Sequence, residues 1–259
     1  MNTANLSAYH IVIPARFASE RLPGKVLLDL AGQSLLQRVW QRATRSSAQS
    51  VVIATDDERI VSAARSFGAQ VVMTRSDHQS GSDRIAECAA QLGWPDDHLI
   101  VNLQGDEPLM PATCLDQVAA LLEKRADCEV ASLYWPITEA EEVQNPNAVK
   151  VVTDAEDRAL YFSRSPIPFA RAYADIDAAL GTGIVWKRHL GLYAYRLAAL
   201  RSYTSSPPTP LEKSEQLEQL RIMEQGGRIA MARACEFIPA GIDTQDDLER
   251  VRDLIESKS

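Results

Sequence analysis

Short apolar runs alternate with amphipathic helical segments through the first half of the chain. Residues 11–13, Ile-Val-Ile, are typical of a strand buried on both faces, and Pro14 is expected to end that strand because it has no amide hydrogen to donate. Residues 50–56 predict a second buried strand after a helical segment. The same patterns predict further strands and helices at residues 70–74, 98–105, 111–125, 129–133, 189–195, 228–234 and 244–256. This alternation predicts an α/β fold with a mostly parallel central sheet flanked by helices.

Polar residues mark the starts of the predicted helices. Asp57 and Ser82 are expected to cap the second and third helices, because their side-chain oxygens can accept from the free amides of a first helical turn. Thr244, with Asp247 three residues later, resembles a capping box for the last helix. Residues 211–225 read as one strong helix.

The alternation stops near residue 135. Two strand-like runs, residues 148–154 and 159–164, are separated by an acidic turn that is too short for a helix, so they predict an antiparallel hairpin. A polar segment with several prolines follows. We therefore expect one domain, residues 1–259, with an inserted lobe at about residues 135–205.

Composition places the chain among ordinary globular proteins. Its 259 residues are 46% hydrophobic and 24% charged, enough for a sizeable core. A net charge of -8 argues against a general nucleic-acid surface, because nothing would gather the phosphate backbone. The first residues are polar, and no stretch approaches the roughly 20 apolar residues of a membrane span, so we expect a cytoplasmic protein with no membrane partner.

The four cysteines are scattered along the chain and form no Cys-x-x-Cys pair. Neither a disulfide framework nor a zinc site is expected from this spacing. They are interpreted as small buried hydrophobic residues.

The loop after the first strand combines positive charge with a flexible backbone. It carries Arg16, Arg21 and Lys25, with Gly24 directly before the lysine, so the backbone can approach a ligand closely. Ligands collect at the carboxyl ends of parallel strands, which favours a polyanion site here. A solvated basic loop is the alternative. Neither a dinucleotide fingerprint nor a Walker loop occurs, so phosphate must be held in another way.

A second polar loop, residues 75–84, leads into the third predicted helix. Its Ser80, Gly81 and Arg84 are expected near the helix N-terminus, where free amides favour anionic or carbonyl groups. His78 in the same loop is expected to be a surface histidine.

Two acids are expected at strand ends. Asp106 follows the strand at residues 98–105, and Asp243 directly precedes the last helix. A hard cation such as Mg²⁺ takes one or two carboxylates together with phosphate oxygens and water, so these acids are candidate metal ligands. The alternative is that Asp106 shapes a turn and Asp243 begins a cap.

Several segments carry a family resemblance, in chain order and over almost the entire length. They read IPARFASERLPGK, DHQSGSDR, NLQGDEP, NPNAVKVV, ALYFSRSPIP, RHLGLYAYR, PLEKSEQLEQLR and GIDTQDDLERV. The first is shared widely among nucleotidyltransferases, whereas RHLGLYAYR and LEQLR are characteristic of the enzymes that activate 3-deoxy-D-manno-octulosonate (Kdo). Together they resemble the CMP-Kdo synthetase family, the 3-deoxy-manno-octulosonate cytidylyltransferases. Gln245 stands where that family commonly has proline.

The resemblance implies a Rossmann-like nucleotidyltransferase fold with an antiparallel dimerisation lobe. It implies transfer of CMP from CTP to Kdo for lipopolysaccharide biosynthesis, with Mg²⁺ as cofactor and a homodimer as the assembly. Tyr161, Phe162 and Trp186 of the lobe are expected to be exposed for dimerisation. The alternatives are a cytidylyltransferase for an amino-substituted Kdo or a sialic acid, a non-catalytic nucleotide-sugar binding protein, and a glycosyltransferase. A glycosyltransferase would need an Asp-x-Asp metal motif after a core strand. The chain has this motif only in the lobe, at residues 175–177.

The resemblance also implies roles for particular residues. The catalytic residues would be Lys25, Arg16, Asp106 and Asp243, with Asp106 and Asp243 as the metal ligands. The nucleotide would be bound by Ala15, Arg16, Arg21, Lys25, Ser80, Gly81, Arg84 and Gln104. The sugar would be bound by Gln104, Arg164, His189, Tyr193, Glu218 and Gln219.

Overall fold

A mixed sheet lies at the centre of the protein, whose structure is a computed structural model that describes residues 8–18 and 22–257. Its strands are β1 Tyr9–Ala15, β2 Ser50–Thr55, β3 Gln70–Met73, β4 Leu99–Asn102, β5 Val130–Pro136, β6 Lys150–Thr153, β7 Ala159–Ser163, β8 Lys187–Arg196 and β9 Ile229–Arg233. The helices are α1 Leu35–Ala43, α2 Glu58–Ser66, α3 Gly81–Gln91, α4 Ala112–Lys124, α5 Ala140–Gln144, α6 Ile176–Ala179, α7 Leu197–Thr204, α8 Pro210–Glu215, α9 Gln219–Glu224 and α10 Gln245–Glu256. A 3₁₀ turn occupies Lys25–Leu27.

The main path of the sheet runs in the order β3-β2-β1-β4-β8-β5-β9. Strand β1 is parallel to β2 and β4, β2 is parallel to β3, and β5 is parallel to β9. Strand β8 is antiparallel to both of its neighbours, β4 and β5. The predicted α/β class is confirmed, with a central sheet that is mixed because of β8.

Both faces of the sheet are buried, which explains the continuous apolar run of β1. Ile11 and Ile13 pack in one core with Leu36 of α1 and Leu115 of α4, whereas Val12 packs in the other core with Ile85 of α3. Successive side chains of a strand point to opposite faces, so a strand between two helical layers needs no polar positions. Burying each such side chain contributes roughly 1.5–3 kcal/mol.

Strand β1 continues through Pro14, contrary to expectation. Pro14 pairs with Ala54 of β2, and Val12 uses its carbonyl to accept from Leu103 on the β4 side. Residues 12 and 14 direct their backbone groups to the same side of the strand. Since β4 ends at Asn102, opposite Val12, no strand on that side requires the amide that proline lacks.

The predicted hairpin is confirmed, because β6 and β7 pair antiparallel. Strand β8, which falls inside the range expected for the lobe, lies in the central sheet, and the extent of a separate lobe stays a prediction. Phe162 and Trp186 are buried rather than exposed, and Tyr161 is half-buried. Trp186 packs in a small core with Val143, and its indole N–H donates to the carbonyl of Pro168 at 3.1 Å.

The predicted helix at residues 211–225 is two helices. Gln216 adopts a left-handed conformation, φ 54°, and ends α8 before α9 begins at Gln219. The cap of α3 also differs: Ser80, not Ser82, accepts from the third amide of the helix. The predicted cap at Asp57 and the capping box at Thr244 are both confirmed.

Within residues 8–18 and 22–257, none of the helices has both the length and the apolar character needed to cross a membrane.

Candidate active site at the carboxyl edge of the sheet

A cleft of about 610 Å³ opens at the carboxyl ends of β1 and β4. The strand order reverses between these two strands, since β2 and β3 lie on one side of β1 and β4 lies on the other. Such a reversal leaves a crevice outside the strand ends, where α/β proteins bind ligands. The cleft brings together most of the expected site residues: Ala15, Arg16, Lys25, Ser80, Gly81, Arg84, Gln104, Asp106, His189, Tyr193, Glu218, Gln219 and Asp243.

Lys25 lies at the centre of the charged part of the cleft. Its ammonium group donates to Oδ2 of Asp106 at 2.7 Å, to Oδ1 of Asp243 at 3.0 Å and to the carbonyl of Ile242 at 2.9 Å. Burial lowers the pKa of Lys25, but the two carboxylates more than offset this and leave the pKa above its ordinary value. Lys25 therefore stays charged at neutral pH.

The turn before Lys25 depends on a glycine. Gly24 has φ 68°, and a Cβ at this position would lie 3.0 Å from the ring of Phe17. A residue with a side chain would therefore meet both backbone strain and a clash. Gly24 starts the 3₁₀ turn that carries Lys25 into the cleft.

Asp106 and Asp243 come from distant parts of the chain. Asp106 lies in the segment between β4 and α4, and Asp243 lies just before α10. Among the described residues, no group of three or more His, Cys, Asp or Glu side chains is arranged to hold a metal ion. Two carboxylates without a third protein ligand fit a hard divalent cation whose remaining ligands are water and phosphate oxygens.

Glu107 is a neighbouring acid that the sequence analysis missed. Burial, together with repulsion from Asp106 and Asp243, raises the pKa of Glu107 to about 8. This carboxyl group is thus largely protonated at neutral pH, and the negative charge beside Lys25 resides on the two aspartates.

The start of α3 forms the opposite wall of the cleft. Ser80 and Asp83 make a reciprocal capping box, and Gly81 passes so close to Pro14 that an added Cβ would lie 3.3 Å from the proline ring. Arg84 is buried and donates to Asp56 at 2.9 Å, so its guanidinium ties α3 to the end of β2.

His78 lines the cleft and is not the surface histidine that was expected. Only 9% of its side chain is exposed, and its Nε2 is hydrogen-bonded to Glu87 of α3. Glu87 also accepts from the backbone amide of Arg75 at 3.1 Å. The two contacts fix the loop between β3 and α3 against the helix.

The other end of the cleft is lined by uncharged polar groups of β8. His189 is hydrogen-bonded to Ser132 at 3.1 Å, and burial lowers its pKa to about 3, so the imidazole is neutral. Burial also raises the pKa of Tyr193 well above its ordinary value, so its hydroxyl stays protonated. Both side chains can therefore donate and accept hydrogen bonds without carrying charge.

The break between α8 and α9 supplies two more polar groups. Glu218 accepts from the hydroxyl of Tyr203 at 3.1 Å, and burial raises the pKa of Glu218. Gln219 is buried, and its amide nitrogen has no hydrogen-bond partner among the described residues. A buried donor without a partner is costly, so it marks a position where a ligand can accept.

Comparison with known proteins assigns the family. A protein-family model described as cytidylyltransferase matches residues 10–229. The chain belongs to the cytidylyltransferase family. The membership of the cytidylyltransferases that the motifs predicted is confirmed by this match.

The cytidylyltransferase is similar to curated proteins over nearly its whole length. It is 51% identical to the 3-deoxy-manno-octulosonate cytidylyltransferase of Pseudomonas fluorescens, over 97% of this chain and 99% of that protein. It is 48% identical to the protein of the same name from Francisella tularensis, over 95% of this chain and 97% of that protein.

Solved structures support the same assignment. The structure of a CMP:2-keto-3-deoxy-manno-octonic acid synthetase complexed with CTP matches with a TM-score of 0.87 at 39% identity, over 98% of this chain and 100% of that chain. The expected nucleotidyltransferase fold is confirmed by this match. A cytidylyltransferase from Leptospira borgpetersenii matches with a TM-score of 0.62 at 19% identity, over 97% of this chain and 88% of that chain, and shows the fold alone.

Two expected site residues of the cytidylyltransferase are not seen in the cleft. Arg21 lies outside the described residues. Arg164 does not line the cleft, and its guanidinium donates to the carbonyls of Glu215 at 2.7 Å, Pro146 at 2.9 Å and Gln216 at 3.3 Å. In this arrangement Arg164 holds the end of α8 rather than facing a carboxylate ligand.

The cleft also contains residues that the sequence analysis did not single out. Tyr195 lies two residues after Tyr193 on β8, and Asn102 accepts from Gln104 at 3.0 Å. Successive side chains of a strand point to opposite faces, so residues two apart share a face. This alternation could have predicted that Tyr195 lies on the same face as Tyr193.

Proposed function

We propose that this cytidylyltransferase transfers CMP from CTP to the anomeric hydroxyl of Kdo, releasing pyrophosphate and supplying CMP-Kdo for lipopolysaccharide biosynthesis. The observation that carries the proposal is the Lys25 ammonium group held between Asp106 and Asp243 at the carboxyl edge of the sheet. Relatives that are 51% and 48% identical over nearly the full length, and named for this activity, support Kdo as the sugar.

The nucleotide is assigned to the charged part of the cleft. Lys25 and the exposed Arg16 provide positive charge for the triphosphate, and the start of α3 provides backbone amides. The proposed nucleotide subsite consists of Ala15, Arg16, Lys25, Ser80, Gly81, Arg84 and Gln104.

Asp106 and Asp243 are the proposed ligands of Mg²⁺. Their two carboxylates approach the same ammonium group, so a cation between them and the triphosphate would meet oxygen ligands on both sides. The ion, when bound, would neutralise charge on the phosphate oxygens and on the leaving pyrophosphate.

The sugar is assigned to the end of the cleft that is lined by β8 and by the break between α8 and α9. His189 and Tyr193 of β8, with Glu218 and Gln219 at the helix break, can donate to and accept from several hydroxyl groups. The unpartnered amide of Gln219 supports this assignment, because a sugar oxygen would satisfy it. Arg164 would have to leave its backbone carbonyls to reach the sugar carboxylate.

The proposed reaction is an in-line displacement at the α-phosphorus of CTP. The anomeric oxygen forms the new P–O bond, the bond to the β-phosphate oxygen breaks, and the hydroxyl proton is released. Catalysis of phosphoryl and nucleotidyl transfer depends on positioning and on stabilising negative charge. Lys25 is placed to stabilise that charge because it is already desolvated and oriented by two carboxylates and a carbonyl.

The test is pyrophosphate release with CTP and Mg²⁺, measured separately with Kdo, its amino-substituted analogue, a sialic acid and a neutral hexose phosphate. We expect turnover with Kdo and strong rejection of the hexose phosphate. Faster turnover with the sialic acid or the hexose phosphate would overturn the proposal, and binding of CTP without turnover would favour a nucleotide-sugar binding protein. Lys25→Ala under the same conditions is the control for contaminating activity.

A further inference from the structure

Cys114 and Cys235 form a thiol pair outside the cleft. Their Sγ atoms lie 3.7 Å apart, although the residues are 121 positions apart in the chain. Cys114 is buried in the first turn of α4, whereas Cys235 is exposed in the segment that follows β9. Cys235 therefore departs from the expectation that all four cysteines are buried hydrophobic residues.

The backbone around the pair is held by side chains of α4. Gln117 accepts from the amide of Cys235 at 2.8 Å and donates to the carbonyl of Arg233 at 2.8 Å. Thr113, next to Cys114, donates its hydroxyl to the side chain of Glu236. The contacts fix the register between the two segments, and the sulfur atoms face each other at 3.7 Å.

We propose that Cys114 and Cys235 are a redox modification site, which closes into an intramolecular disulfide when the protein meets a hydroperoxide and reopens with a dithiol. The inference is independent of the proposed function, because neither cysteine lines the cleft. Structural disulfides are uncommon in cytosolic proteins, whereas exposed thiols beside a second cysteine suit redox sensing.

The chemistry begins at Cys235, which is the exposed member of the pair. Its thiolate attacks one peroxide oxygen, the O–O bond breaks, and a sulfenic acid and an alcohol (water, for hydrogen peroxide) result. The sulfur of Cys114 then attacks the sulfenic sulfur, the S–S bond forms, the S–O bond breaks, and water leaves with the thiol proton. The two sulfur atoms lose two electrons, which reduce the peroxide.

The order of the two steps follows from burial. Burial raises the pKa of Cys114 to about 12, so this thiol is a poor first nucleophile. It is nevertheless in contact with Cys235 and is therefore placed to resolve a sulfenic acid formed there.

The disulfide would join the two segments that carry the acids of the cleft. Cys114 follows Asp106 by eight residues, and Cys235 precedes Asp243 by eight residues. A link between segments already in native contact should restrain the unfolded chain more than the folded one. We therefore expect the oxidised protein to unfold at a higher temperature than the reduced protein.

The experiment treats the full-length protein with hydrogen peroxide and then counts free thiols by maleimide labelling after denaturation. We expect the free thiols to fall from the four present in the chain to two, with Cys88 and Cys128 still labelled. The intact mass should fall by about 2 Da, a linked Cys114–Cys235 peptide should be recovered, and a dithiol should reverse all three changes. The midpoint of thermal unfolding should rise in parallel.

Matched variants separate the proposal from general oxidation. After hydrogen peroxide treatment, the Cys235→Ser variant should show no loss of free thiols and no fall in mass. The Cys128→Ser variant should still form the link between Cys114 and Cys235. The Cys114→Ser variant should carry a sulfenic acid at Cys235 that dimedone traps. Cys235 is exposed, so its serine variant should fold even if the variant at Cys114 does not. Four labelled thiols after treatment, a sulfinic acid at Cys235 without a link, or a link between two chains would each overturn the proposal.

Discussion

Lys25 determines the electrostatics of the cleft at the scale of single residues. Without substrates, its ammonium group neutralises two carboxylates that would otherwise repel each other and the triphosphate. Its side chain is only 13% exposed, and water screens its interaction with Asp106, which is 28% exposed, less than its interaction with Asp243, which is 50% exposed. The same fixed charge is available when negative charge develops on the transferred phosphoryl group.

Lys25→Ala should lower kcat roughly 100-fold to 1,000-fold, as expected for the loss of one preorganised donor. The KM for CTP should change less, because the largest contribution is expected in the transition state. Both constants are measured from pyrophosphate release at saturating sugar. Lys25→Arg, which keeps the charge, should retain more activity. An effect confined to the KM for CTP would make Lys25 a ground-state binder.

Asp106→Asn and Asp243→Asn should each abolish most turnover at limiting Mg²⁺, since each removes a full negative charge that would face the cation. The fold should survive, because an amide oxygen can still accept from Lys25. The measurement is the dependence of turnover on Mg²⁺ concentration. Asp246→Asn changes an exposed acid close to Asp243 and is the matched control. Near-normal activity of both cleft variants would reject a shared metal site.

Motifs predicted the identity of most cleft residues, but they did not predict what each side chain contacts. Arg164 lies in a family motif, yet its partners are carbonyls of Pro146, Glu215 and Gln216, which only the folded chain brings together. The prediction of a surface position for His78 was wrong for the same reason, because Glu87 of α3 is hydrogen-bonded to it. Local composition does not show which of these residues the folded chain brings into contact.

At the scale of secondary-structure elements, the break between α8 and α9 helps to shape the proposed sugar end of the cleft. Periodicity alone predicts a continuous helix over residues 211–225, in which Leu217 and Leu220 are three residues apart. Tertiary contacts override that pattern: Arg221 of α9 donates to Glu212 of α8 at 2.7 Å, in a largely buried ion pair. The chain therefore turns between α8 and α9, and Glu218 in this turn lines the cleft.

The Gln216→Gly variant should keep its activity, and its free energy of unfolding should stay within about 1 kcal/mol of the parent value. The reason is that glycine adopts φ 54° without strain. Gln216→Val should be destabilised by roughly 1–2 kcal/mol, since a β-branched residue resists this conformation. We expect the valine variant to raise the KM for Kdo more than the KM for CTP. The measurements are urea unfolding and the two KM values; equal effects of both substitutions would contradict a conformational role for this position.

At the scale of the whole molecule, the segment between β5 and β8 exposes large apolar side chains. Phe169 is 85% exposed, Leu160 is 59% exposed and Val185 is 52% exposed. These are not the residues that were expected to be exposed, because Phe162 and Trp186 are buried. Large exposed apolar side chains are candidates for an interaction surface, and symmetric dimers are the commonest closed assembly of soluble proteins.

We therefore propose a two-fold homodimer that uses this segment, and we expect a dimer mass by light scattering at micromolar concentration. Phe169→Asp should shift the protein towards monomer, because a charge would be buried at the interface. Leu254→Asp, at an exposed apolar residue of α10, is the control and should leave the mass unchanged. A monomer mass for the parent protein would contradict the proposal.

Stability towards acid should depend on His10, which lies on β1 at the edge of the sheet opposite the cleft. His10 is buried, stacks on Trp94 with ring centroids 4.1 Å apart, and is hydrogen-bonded to Ser50 at 2.8 Å and to His98 at 3.0 Å. Burial, together with repulsion from His98, lowers the pKa of His10 to about 4. The unfolded chain therefore binds a proton near pH 6.5 that the folded chain does not bind until about pH 4.

Between those two pH values, acidification stabilises the unfolded state relative to the folded state. The contribution of His10 to the free energy of unfolding is thus fully present above pH 6.5 and falls by about 1.4 kcal/mol for each pH unit towards pH 4. The free energy of unfolding is measured by urea unfolding at several pH values, in the parent protein and in the His10→Gln variant. The glutamine side chain at position 10 does not titrate. We expect the parent to be more stable at pH 7, because the variant loses the ring stacking, and the difference to shrink as the pH falls. A difference that stayed constant from pH 7 to pH 4.5 would mean that His10 titrates alike in both states.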